Sequence, residues 1–160
     1  MVDVFDPEKR SAVMSSIRGR GNKSTEQAMA TLLRQSRITG WRRHVELRPR
    51  PSSADAEYVK LTKSRRLRVR PDFVFRKPRT VIFVDGCFWH GCPLHSSRPQ
   101  QNATFWKNKL DANVHRDAVH TRALEAAGWT VVRIWEHELS DTYRTFQRIV
   151  LALRCQLPRG

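Results

Sequence analysis

Residues 81–95 read VIFVDGCFWHGCPLH, a run of apolar and β-branched positions that passes straight into Asp85, Cys87, His90, Cys92 and His95. Cys87, Cys92 and His95 fall within nine residues, and thiolate plus imidazole is the donor set that Zn²⁺ takes in a closed tetrahedral site. A fourth donor has to come from elsewhere. His137 is the first choice, because it follows the strand-like IWEH and a strand of the same sheet can end at the same edge; Cys155 is the second. The plainer alternative is that the cysteines serve packing as small apolar groups. A closed Cys₂His₂ site leaves no position open for water, so its task would be to pin a loop too polar to hold itself.

Chemistry must then come from neighbouring residues. Asp72 and Asp85 are hard oxygen donors suited to Mg²⁺, and His90 titrates near neutrality and can act as a base. Each has an ordinary reading too: Asp72 as a turn aspartate after Pro71, His90 as a spectator in a histidine-rich loop. An acidic pair in a basic protein would repel DNA unless a cation lay between its members, the arrangement used to cut phosphodiesters. Phe88 and Trp89 are consecutive, so on a strand they cannot share a face. On a pinned loop they are wedge candidates that enter between base pairs. Trp106, in TFW, either joins them or packs its helix into the core.

These residues need a scaffold. A capping-box pattern at Ser24 and Gln27 starts a helix with Ala28, Met29, Leu32 and Leu33 on one face, ending before Gly40. DFVF and TVIFV flank RKPR and predict two strands joined by a four-residue turn, with Phe75 opposite Thr80; that register lays Asp72 opposite Phe83, beside Val84 and Asp85. A long helix is expected from about residue 104 to 127, broken near its middle, with Val114, Leu124 and Ala127 inward and Gly128 closing it. WTVVRIW reads as a buried strand, and the last helix turns Phe146, Ile149, Val150 and Leu153 inward. Helix, hairpin strands, helix, strand, helix is an α/β layered order.

The chain has 160 residues, enough for one domain, and carries 30 Lys and Arg against 15 Asp and Glu for a net charge of +15. Such an excess favours a polyanionic partner, because each cation that neutralises a phosphate releases condensed counterions; a merely solvated basic surface is the alternative. No apolar run approaches the roughly 20 residues of a membrane span, and the acidic start MVDVFDPEKR is unlike a signal peptide, so a cytoplasmic protein without membrane contact is expected. Three cysteines, an odd number, fit thiols or metal ligands better than disulfides. Residues 1–23 form a basic arm, 24–155 the folded domain, 48–69 a Pro/Ser-rich stretch that is either a basic hairpin or an exposed loop, and 156–160 a tail.

RSAVMSSIRGRGNKSTEQAMATLL, RPDFVF, VIFVDGCFWHGCPLH, TFWKNKLDANVHRD and GWTVVRIWEHEL, in that order, resemble the very short patch repair (Vsr-type) DNA mismatch endonucleases. The likeness covers nearly everything from residue 10 to about 139 except 48–69. It implies a restriction-endonuclease-like single domain with a mixed central β-sheet flanked by helices, a structural zinc, and Mg²⁺-dependent nicking 5′ to the thymine of a T:G mismatch left by 5-methylcytosine deamination. It further implies functional association with a DNA cytosine methyltransferase, mismatch-repair partner proteins, a monomer, and a prokaryotic, nucleoid-associated setting. Carried over by position, Asp72 is the metal-binding aspartate, the Val84 carbonyl a second metal ligand, His90 the activator of water and Glu26 a helix glutamate linked to the active site. Phe88, Trp89 and Trp106 match the intercalating aromatics.

Three departures bear on this expectation. Cys92 and His95 stand, with one residue inserted, where the best-known form has His and Cys, and His137 replaces its last Cys; Zn²⁺ accepts the exchange. Asp85 stands where that form has a second active-site histidine, and a carboxylate there would draw metal. The stretch 48–69 replaces a short Gly-containing turn. Two rival functions are a restriction-type nuclease of matched DNA and a zinc-stabilised, non-catalytic DNA-binding module.

Overall fold

The structure, a computed structural model, describes residues 23–49, 67–95 and 102–154. The basic arm, the interior of the 48–69 stretch, Cys155 and the tail lie outside these residues, as does the side chain of Ser24 that was expected to cap the first helix.

A π-helical turn, Lys23–Gln27, runs into α1, Ala28–Gln35, whose buried Met29, Ala30, Leu32 and Leu33 form the expected stripe. Arg37, at φ +54°, ends it ahead of Gly40. The sheet has the order β1 (Trp41–Arg43), β2 (Phe73–Phe75), β3 (Thr80–Asp85) and β4 (Thr130–Trp135). The first two pairings are antiparallel and β3–β4 is parallel, so the sheet is mixed. Phe75 pairs with Thr80, the predicted register. Strand β1 was not expected: WRR is short and charged, and becomes a strand only by pairing with the edge of β2.

A parallel pair needs a crossover, supplied by α2, Ala103–Ala126. It is continuous, not broken at its middle, since the span holds no glycine or proline to interrupt it. Val114 is exposed rather than inward; its neighbour is Gly91, where an added Cβ would lie 3.0 Å from a Val114 methyl. A 3₁₀ turn, Glu136–Ser140, leads to α3, Thr142–Arg154, which buries Ile149 and half-buries Phe146, Val150 and Leu153.

Strand alternation sends side chains to two layers. Phe73, Phe75, Ile82, Val84, Val132 and Ile134 pack with α1 and α3, whereas Val74 and Val81 pack with Val119, Ala123 and Leu124 of α2. The sheet is thus sandwiched between helices, the α/β architecture anticipated. Leu47 and Val69 bridge each other with N···O distances of 2.7 and 2.9 Å, so the 48–69 stretch leaves and rejoins the fold at adjacent points. Among the described residues, no helix is long and apolar enough to cross a membrane.

Candidate active site

The β2–β3 register decides where Asp72 goes. It directly precedes β2, and its Oδ2 accepts a hydrogen bond from the Val84 N–H at 2.8 Å, which fixes the carboxylate against β3. Glu26, buried on the π turn, accepts from the Arg43 guanidinium and lies 3.0 Å from His44 Nε2. Glu26, His44 and Asp72 each offer a donor atom, all within 4.8 Å of one another. Burial, joined by the Glu26 and Asp85 carboxylates, pushes the Asp72 carboxyl up to about 7 against the opposing Val84 N–H and His90. The oxygen and nitrogen donors of this cluster fit a hard divalent cation such as Mg²⁺.

Asp72 and Asp85, which the sequence reading joins at one metal, fall into separate clusters. Asp85, 2 % exposed at the end of β3, is held in a two-point grip by Arg133 of β4, with Nε–Oδ2 at 2.6 Å and Nη2–Oδ1 at 2.7 Å. His90 Nδ1 lies 2.5 Å from Asp117 Oδ2 and 3.5 Å from Asp85 Oδ1. Burial alone would lower the His90 pKa, but the Asp117 bond and the Asp85 charge outweigh it and leave the imidazole above its ordinary value. Burial would raise the Asp117 carboxyl; His90 and Arg133 hold it below its ordinary value instead. With Nδ1 given to Asp117, Nε2 is the nitrogen left to take a proton.

Sequence reasoning missed His44, Asp117 and Arg133. Arg133 left a signal, a lone charge within an apolar strand that must find a partner. Asp117 left none, being one acid among many charges on α2.

Cys87, Cys92, His95 and His137 come together, their donor atoms within 4.8 Å of one another. His137 Nδ1 lies 3.2 Å from Cys87 Sγ and 3.6 Å from Cys92 Sγ, and His95 Nδ1 lies 3.8 Å from Cys92 Sγ. A zinc tetrahedron with its usual bond lengths has ligand-to-ligand edges of roughly 3.3–3.8 Å, so these residues fit Zn²⁺. Burial pushes the Cys87 thiol up, and a metal would therefore displace its proton on binding.

Beside these clusters stands an aromatic group. Phe88 contacts Trp89 and Trp106 edge-on, with centroids 5.0 and 5.5 Å apart, and Phe105 meets Trp106 at 5.5 Å. Phe88 and Trp89 are half-buried, whereas Trp106 is only 5 % exposed beneath them. Its burial matches the packing alternative, and the exposed aromatic of the TFW triplet is Phe105. The Asn113 amide donates to the Trp89 carbonyl at 3.1 Å and ties the loop to α2.

Comparison with known proteins follows this geometry. The family described as DNA mismatch endonuclease Vsr matches residues 53–96. Type II nicking enzyme V.XorIIP of Xanthomonas oryzae pv. oryzae is 34% identical over 145 residues, 88% of this chain and 89% of that protein. Type II nicking enzyme V.NaeI of Lentzea aerocolonigenes is 47% identical over 72 residues, 45% of this chain and 43% of that protein. DNA mismatch endonuclease Vsr of Escherichia coli is 44% identical over 69 residues, 42% of this chain and 44% of that protein. With a mixed sheet between helices, an acidic cluster at its strand ends and this degree of likeness along most of its length, the chain belongs to the Vsr-type family of DNA endonucleases.

Proposed function

We propose that this endonuclease nicks one DNA strand on the 5′ side of the thymine in a T:G mismatch, using Mg²⁺ at Asp72. The observation that carries the reading is the Asp72–Val84 bond, which puts a half-buried carboxylate and the β3 backbone side by side, one short loop from His90 and the aromatic group. Asp72 and the Val84 carbonyl would hold the cation, with Glu26 and His44 beside Asp72. Bound there, Mg²⁺ would polarise the scissile phosphate and steady charge on the departing oxygen. His90 takes a proton from water at Nε2, turning it toward in-line attack on phosphorus as the phosphorus–oxygen ester bond breaks. Asp117 holds the imidazole in the tautomer that leaves Nε2 unprotonated.

Phe88 and Trp89 act as the wedge, with Trp106 as the floor under them. A mismatch is cheaper to unstack than a Watson–Crick pair, so a wedge selects it by energy as well as by contact. Cys87, Cys92, His95 and His137 would hold Zn²⁺, which would pin the loop that carries both wedge and base. The net charge of +15 supplies phosphate attraction along the duplex. A working association with a cytosine methyltransferase follows from the substrate, whose thymine arises from 5-methylcytosine; mismatch-repair proteins would be later partners, and the enzyme would act on nucleoid DNA as a monomer.

The test is strand-resolved cleavage of a duplex with one T:G pair beside its T:A twin, in Mg²⁺. A single nick 5′ to the mismatched thymine, absent from the twin, is expected. Equal cutting of both would make the chain a restriction-type nuclease, and binding without cutting would make it a non-catalytic module.

A further inference from the structure

Arg133 is a partly buried cation on the edge strand β4, and the groups around it explain its place. In the parallel β3–β4 register Phe83 lies opposite Arg133, and the guanidinium sits 4.9 Å from the Phe83 ring centroid. Its Nε and Nη2 take both oxygens of Asp85, and Nη2 also lies 3.3 Å from Asp117 Oδ2. Nη1 reaches the Asp117 carbonyl at 3.4 Å and Thr121 Oγ1 at 3.3 Å. Every nitrogen of the guanidinium therefore has an acceptor. Asp85, His90 and Asp117 have donor atoms within 4.8 Å of one another. Two carboxylates and an imidazole at that spacing are a donor set for a divalent ion such as Mn²⁺ or Mg²⁺.

We propose that Arg133 is a positioning residue that stands in for a second divalent cation: its guanidinium neutralises Asp85 and Asp117 and thereby keeps metal off His90. The inference rests on the reading above, in which the working metal belongs to Asp72 and His90 must remain a free base. A metal bound among Asp85, Asp117 and His90 would take Nδ1, the atom now bonded to Asp117, and would end the imidazole's use as a base. A fixed guanidinium supplies positive charge without coordinating that nitrogen, because it carries only N–H donors and these are directed at Asp85, Asp117 and Thr121. It also explains how an aspartate is tolerated at position 85, within reach of the Asp72 carboxylate, without drawing in a metal.

The experiment counts Mn²⁺ bound by zinc-saturated, full-length protein, read from the free-ion electron paramagnetic resonance signal and independent of cleavage. Four proteins are compared: wild type, Asp72→Ala, Arg133→Leu and the double variant Arg133→Leu/Asp72→Ala. Wild type is expected to take one Mn²⁺ that Asp72→Ala loses. Arg133→Leu is expected to take one more, kept in the double variant and lost when Asp117→Asn is added to it. If Arg133→Leu does not fold, Arg133→Gln, which keeps a neutral hydrogen-bonding end, carries the same count. A folded Arg133 variant that binds no additional Mn²⁺, or a wild type that already binds two, overturns the proposal. Wild-type binding that survives Asp72→Ala would instead overturn the placement of the working metal, while the gain on removing Arg133 would still decide this proposal.

Discussion

Asp72→Asn should abolish metal-dependent cleavage and at the same time make the magnesium-free protein more stable. The Asp72 carboxyl stands at about 7 against 3.8 in the open chain, chiefly because it is buried, with Glu26 and Asp85 adding to the effect. Keeping it ionised in the fold therefore costs about 4 kcal/mol at pH 8, and water reaching the half-buried group trims this to roughly 2–4 kcal/mol. The sign follows from proton uptake. Between about pH 4 and 7 the native chain holds a proton that the unfolded chain has released, so this contribution to stability is present below the unfolded value and lost as pH rises through the folded one. Asparagine keeps an oxygen for the Val84 N–H and has no charge to bury. In thermal unfolding of zinc-loaded, magnesium-free protein, the variant should melt higher at pH 8 by about 4 to 15 °C, with a smaller gap at pH 5. Added Mg²⁺ should raise the wild type and leave the variant unchanged. A variant less stable than wild type at pH 8, or a gap that does not grow with pH, would refute the claim that Asp72 is a carboxylate awaiting a cation.

Other perturbations separate the remaining parts. Asp117→Ala removes the charge-assisted bond to His90 Nδ1, worth about 1.5–3 kcal/mol, so the cleavage plateau should fall roughly ten- to a hundredfold. Because Asp117 holds His90 above its ordinary value and the base works unprotonated, the acid limb of the rate–pH profile should move to lower pH; a limb that stays put would rule out the pairing as the control on His90. Phe88→Ala combined with Trp89→Ala should lower the preference for T:G over T:A while salt-sensitive duplex binding persists, and undiminished preference would eliminate the wedge. Elemental analysis of purified protein should find about one zinc per chain, lost with Cys92→Ser; a folded, zinc-free wild type would contradict the Cys₂His₂ centre.

The hairpin was legible because two continuous apolar runs flank a four-residue turn, and the length of that turn fixes the register with Phe75 opposite Thr80; Asp72 then had to arrive beside Val84. The gathering of Cys87, Cys92, His95 and His137 was legible for a related reason, since adjacent parallel strands end at one sheet edge and His137 follows β4 directly. Strand β1 was not legible: Trp41, Arg42 and Arg43 carry no alternation of their own, and their extended form comes from pairing with β2. Nor was the continuity of α2, whose middle was expected to break although nothing in its sequence prevents a helix, or the exposure of Val114, which was read as inward. Asp117 and His44 reach the site through tertiary packing alone, and only the fold could bring them in. Trp106 shows the limit of residue type as a guide, for an aromatic suited to DNA contact lies buried beneath its neighbours.

The most direct test of the central claim is strand-resolved, single-turnover nicking of a T:G duplex by wild type and Asp72→Asn, with Mg²⁺ and after its removal. The account predicts one nick, 5′ to the mismatched thymine, by the wild type with Mg²⁺ alone, and duplex binding without nicking by the variant. Nicking by Asp72→Asn at the wild-type rate, or wild-type nicking that needs no divalent cation, would contradict it.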